Sequence, residues 1–182
     1  MMRWIPFTIV VGLTMLIQTS AWRVLTMTFG FGSVAPDLAA VVAVFVAFSV
    51  RTSTDAMLAG WLLGLGLDLT TGGGPGAATV VGPMPIAFAL ASAMVYRLRD
   101  ALYRERAVTQ VIVTWIFCVL AHWMWGTMQT LRLGEAAWDQ YKTMLLQILL
   151  VALYTAAIAP LVFFVLGKCQ RLIITTASGR GR

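Results

Sequence analysis

Apolar residues fall into six stretches, separated by short polar, proline-bearing or glycine-rich breaks. The first runs from Trp4 to Trp22, with a tryptophan at each edge. The second is Val34 to Val50 and the third Ala56 to Leu69. The fourth, Gly76 to Tyr96, is interrupted by Pro83 and Pro85. The fifth is Val108 to Met128, and the sixth, Met144 to Leu166, contains Pro160. Crossing about 30 Å of hydrocarbon takes ~20 helical residues, and edge tryptophans suit the membrane interface. The pattern therefore predicts an all-α, polytopic membrane protein of six transmembrane helices. A single domain spans residues 1–176, followed by a disordered basic tail at 177–182. The second and third runs are short, and each carries an aspartate at one end. They read as thin, tilted spans or as a hairpin that re-enters the membrane. Either way the two termini lie on the same side.

Composition supports this reading. The 182 residues are 60% hydrophobic and 11% charged, too little charge for an ordinary soluble domain. The 13 basic residues sit at the ends of the apolar runs, so topology explains them better than nucleic-acid binding. Arg3, Arg51, Arg97, Arg99, Arg104, Arg106, Lys168, Arg171, Arg180 and Arg182 share one side, leaving Arg23, Arg132 and Lys142 on the other. The positive-inside rule then predicts cytoplasmic N- and C-termini. Arg3 before an apolar run imitates a signal peptide, but Thr19-Ser20-Ala21 is a poor cleavage site. An uncleaved signal-anchor helix is expected. Cys118 and Cys169 suggest neither a disulfide nor a metal site.

The candidate chemistry is sparse. Asp37, after Pro36 at the start of the second helix, is either a helix cap or a functional acid, because ionisable groups at membrane depth are costly. Asp68 ends the third helix, where the dipole disfavours a negative charge, so it requires a partner. Arg23 and Arg132 are the expected ones. Gly60 and Gly64 form a Gly-x-x-x-Gly step that permits close helix approach, read first as internal packing and second as a homodimer contact. Ala87, Ala91, Ala152 and Ala156 also suit close packing. Pro83, Pro85 and Pro160 are expected to break helical hydrogen bonds. The segment from Thr70 to Gly76 is glycine-rich, but no Lys-Ser or Lys-Thr follows, so it is not a phosphate loop. His122, flanked by Trp123 and Trp125, reads as an interfacial histidine in an aromatic belt. No metal or cofactor site is expected, and no Gly-x-Ser-x-Gly or His-Glu-x-x-His motif occurs.

Pro36-Asp37-Leu38 opening an apolar helix, Arg51 ending it, then Gly60, Gly64, Gly66-Leu67-Asp68 and Gly76 resembles the MreD family of bacterial rod-shape-determining membrane proteins. The resemblance covers about Pro36 to Gly76, with Trp61 and the Pro83/Pro85 pair as departures. It implies a non-enzymatic scaffold of the cell-elongation complex in the bacterial inner membrane, supporting side-wall peptidoglycan synthesis and cell shape. It implies an MreC-type single-span protein, and through it the MreB filament, as partners, together with a glycosyltransferase-transpeptidase pair. It also implies a fold similar to the substrate-binding subunits of energy-coupling-factor transporters, with Asp37 and Asp68 lining an outward-facing pocket or partner groove. Two other readings compete. One is a substrate-binding subunit of a vitamin-type transporter, although the first helix lacks an Ala-x-x-x-Ala stripe. The other is an aspartyl enzyme using Asp37 and Asp68, although Gly64-x-Gly66-x-Asp68 carries one residue too many. That residue rotates the carboxylate by ~100° on a helix.

Overall fold

A computed structural model describes residues 4–29, 32–70, 82–99, 106–133 and 141–173, except the side chains of 21–24, 29, 32, 132–133 and 169–173. Gly76, the rest of the glycine-rich segment after Thr70 and the basic tail lie outside the described residues. Among those described, six helices follow in order: α1 Trp4–Leu25, α2 Leu38–Ser49, α3 Ser53–Thr70, α4 Pro83–Leu98, α5 Ala107–Leu133 and α6 Tyr141–Ile173. Two of them, α5 and α6, are long and apolar enough to cross a membrane.

α2 is the centre. All ten residues from Ala39 to Phe48 are at most 5% exposed. A helix without a polar face must be enclosed on every side, and α2 touches each of the other five helices. It has 12 residues, so at 1.5 Å per residue it is about 18 Å long. Its alanines and valines let the surrounding helices close in. Phe163 from α6 stacks edge-on against Phe45, with ring centres 5.5 Å apart.

The outward faces are apolar as well. On α1 they carry Ile5, Ile9, Leu13, Leu16 and Ile17. On α4, Ile86, Leu90, Met94 and Leu98 recur every fourth residue and are 44–49% exposed.

The tightest pairing is α3 with α4. A Cβ at Gly64 would lie 2.7 Å from the Met84 carbonyl oxygen and 2.8 Å from Pro85 Cα. One at Gly60 would meet the Phe88 carbonyl at 2.7 Å. The glycine step thus serves an internal contact. Gly66 instead faces Met15 of α1. Ala87, Ala91, Ala152 and Ala156 are all buried, as close packing requires.

Two features depart from the pattern-based expectation, and a third agrees with it. Pro83 and Pro85 stand in the first turn of α4, where backbone N–H groups have no helical partner, so they break nothing. Pro160 agrees with the expectation: it lies inside α6 without an N–H for the preceding turn, and the helix continues past it to Ile173. Val34, placed in the second apolar run, belongs to a small antiparallel hairpin of β1 Met27–Phe29 and β2 Gly32–Val34, pairing Met27 with Val34 and Thr28 with Ser33.

Candidate functional site

The start of α2 is where the polar groups gather. Pro36 has no N–H to place, and Asp37 takes the extended conformation of an N-cap. Its Oδ1 accepts from the Ala40 N–H at 3.1 Å. Gln18 of α1 brackets the same turn. Its Oε1 accepts from the Leu38 N–H at 2.9 Å, and its Nε2 donates to the Pro36 carbonyl at 3.3 Å. From the far side, Thr155 Oγ1 of α6 accepts from the Asp37 N–H at 2.9 Å. These bonds satisfy donors that a helix start leaves open, and they lock α2 to the first and last helices. Asp37 is a cap, one of the two readings that its position after Pro36 allows.

Asp68 has a backbone partner in the next helix. Its Oδ2 accepts from the Gly82 N–H at 2.8 Å, and Gly82 is the N-cap of α4. The side chains of Arg23 and Arg132 lie outside the described set. Gly82 adopts φ +139° and has no side chain to cap with, so Asp68 supplies the acceptor from the neighbouring helix. A carboxylate disfavoured at the end of its own helix is favoured at the start of the next one.

His122 turns inward from α5 toward the start of α2, a placement that its sequence neighbourhood does not indicate. Its Nδ1 lies 2.9 Å from the Cys118 carbonyl oxygen. A carbonyl only accepts, so Nδ1 carries the hydrogen. Nε2 then points at Asp37 Oδ2, 3.4 Å away. That is within ion-pair reach but too long for a good hydrogen bond. Accordingly Oδ2 is buried without a hydrogen-bond partner.

These groups share a cavity of about 320 Å³. Asp37, Asp68, His122, Gln18 and Gln147 line it together with Trp125, Met84, Met144 and Ile148. Its rim reaches Ser33 in β2, whose carbonyl accepts from Gln147 Nε2 at 2.9 Å. No Lys or Arg is among the described lining residues.

Of the residues singled out in the sequence, Asp37 and Asp68 come together on this cavity. Pro36 holds its edge through Gln18. Gly60, Gly64 and Gly66 act at helix contacts instead. Gln18, His122, Gln147 and Thr155 went unrecognised as site residues. The available signal was their polarity inside apolar runs, which is costly at membrane depth.

Chemically, each aspartate spends one oxygen on a helix start. Asp37 shows its other oxygen to an imidazole, and Cys118, the nearest thiol-bearing neighbour in sequence, is fully buried. Among the described residues no three His, Cys, Asp or Glu side chains are grouped to hold a metal ion. The arrangement is suited to binding and to fixing helix ends. Comparison with protein-family models, curated proteins and solved structures returned no match.

Proposed function

We propose that this chain is a non-enzymatic integral-membrane scaffold of the bacterial cell-elongation complex, of the MreD type. The observation that carries the reading is the convergence of the Pro36-to-Asp68 pattern on one structural unit. Pro36 and Asp37 form the start of the enclosed helix. Gly60 and Gly64 admit α4, and Asp68 caps it. Every position that carries the family resemblance and lies among the described residues from Gly60 to Asp68 has a packing or capping task.

The outward apolar stripes of α1 and α4 support a lipid surrounding, because exposed apolar patches of this extent are unusual on soluble monomers. In this reading all six helices cross the inner membrane, α2 and α3 as thin spans, with both termini in the cytoplasm. The MreC-type protein and the glycosyltransferase-transpeptidase pair are the partners. Depletion in the native cell with imaging of cell shape tests it: rods round up or widen. Cells that keep their width and length overturn the scaffold role.

A second reading is a substrate-binding subunit of a small-molecule transporter. The cavity favours it, since about 320 Å³ falls in the range of ligand pockets. Crosslinking in native membranes separates the two. Cell-wall elongation proteins are the expected catch for the scaffold, an ATPase module for the transporter.

A further inference from the structure

The hydrogen bonds at the start of α2 leave one buried oxygen unmatched. Asp37 is 4% exposed, and its Oδ2 accepts no hydrogen bond. Facing it at 3.4 Å is His122 Nε2. With the ring hydrogen on Nδ1, directed to the Cys118 carbonyl, a neutral imidazole offers Nε2 as a second acceptor. Two acceptors face to face repel, and the low local dielectric sharpens that repulsion. The pair is completed by a hydrogen donor, either a bare proton or a group entering from the cavity.

The cavity favours a donor of positive charge. It contains a second carboxylate, Asp68, which has one oxygen bound to the Gly82 N–H. It offers amide groups from Gln18 and Gln147 and the indole of Trp125, whose face attracts cations. An anion would meet two carboxylates with no Lys or Arg among the described lining residues. A neutral alcohol would leave the carboxylate charge unanswered. A bound metal ion lacks a grouped ligand set among the described residues. Of the groups that could enter from the cavity, an ammonium remains, with several N–H donors to share among oxygens and Nε2.

We propose that this cavity binds a primary ammonium group carried on a short apolar body. The ammonium donates to Asp37 Oδ2 and is balanced by Asp68, while the body lies against Trp125 and the methionine-lined wall. Free amines and the ethanolamine headgroup of a phospholipid share this chemistry. The inference assigns a ligand class to the same cavity. It rests on the proposed function only in taking the chain as a folded membrane protein.

The test uses the full chain in nanodiscs of phosphatidylglycerol, with n-hexylammonium as probe and thermal unfolding as readout. Hexylammonium is expected to raise the unfolding temperature in a saturable way. Hexanoate and hexanol are expected to do nothing specific, and hexyltrimethylammonium, which has no N–H to give, to act at least tenfold more weakly. Asp37→Asn keeps the cap and removes the charge, and Asp68→Asn does the same for α4. Each is expected to weaken the apparent affinity about tenfold or more. Discs containing phosphatidylethanolamine identify the source. A lost hexylammonium response assigns the site to the lipid headgroup, a retained one to a free amine, and both uphold the ammonium site. Equal responses to hexylammonium, hexyltrimethylammonium and hexanoate overturn it without recourse to any variant. So does a full response in both Asn variants. Failure here leaves the scaffold reading standing, because that reading is decided by cell shape.

Discussion

Asp37 holds a backbone N–H with one oxygen and faces an imidazole with the other, and substitution separates the two tasks. Asp37→Ala removes the cap, which costs about 1 kcal/mol in helices generally. The Ala40 N–H that loses its acceptor is buried here, which moves this same cost toward ~1–3 kcal/mol. Asp37→Asn retains an acceptor at the same place. In detergent unfolding, Asp37→Ala is expected to melt clearly below Asp37→Asn, and equal melting of the two would refute the capping role. At Gly82 the constraint is conformational. Nothing lies within 4 Å of an added Cβ, yet φ is +139°. Gly82→Ala is therefore expected to cost about 1–3 kcal/mol through the backbone alone, again read from the unfolding midpoint.

Asp37 was legible as a cap because Pro36 and an apolar run flank it locally. The partner of Asp68 was not. Gly82 lies beyond a glycine-rich segment, and reasoning from side-chain charge does not register the positive end of a helix dipole. His122 meets Asp37 only through the tertiary fold, whereas Trp123 and Trp125 close after it in sequence point to an aromatic belt.

At the scale of elements, the α3–α4 pair depends on backbone-to-backbone approach. Gly64 faces the Met84 carbonyl and Pro85 Cα, neither of which can swing aside. Gly66 faces the end of the flexible Met15 side chain. Gly64→Val is therefore expected to destabilise by about 1–3 kcal/mol or more, as overpacking does, and Gly66→Ala much less. Comparing the two melting temperatures checks this. A larger loss at Gly66 would mean that α1, not α4, sets the spacing of α3.

Helix number and order are readable from the apolar runs because polar, proline-bearing or glycine-rich breaks separate them. Boundaries were less so. The fourth helix begins at Pro83 rather than Gly76, since proline suits a first turn and not an interior. The β1–β2 hairpin escaped notice because three-residue strands are too short to establish an alternating pattern.

For the whole molecule, the proposed lipid surrounding makes a direct prediction. Trp4, Trp61, Trp115 and Trp123 are 37–46% exposed on the outside of the bundle. In bilayers of brominated phospholipid, their fluorescence is expected to be strongly quenched. Fluorescence matching that in unbrominated lipid contradicts the membrane placement. The same placement predicts that a reporter fused after Arg182 lies in the cytoplasm. Activity of a periplasm-specific reporter there reverses the orientation.

The enclosure of α2 also bears on how the protein is made. At about 18 Å, a helix of 12 residues falls well short of a bilayer's thickness, and it starts from a buried acid. Its walls include α4, α5 and α6, all of which leave the ribosome after it. Synthesis thus delivers the kernel before most of its shell. The kernel is fully enclosed only when α6, the last helix made, brings Thr155 to accept the Asp37 N–H.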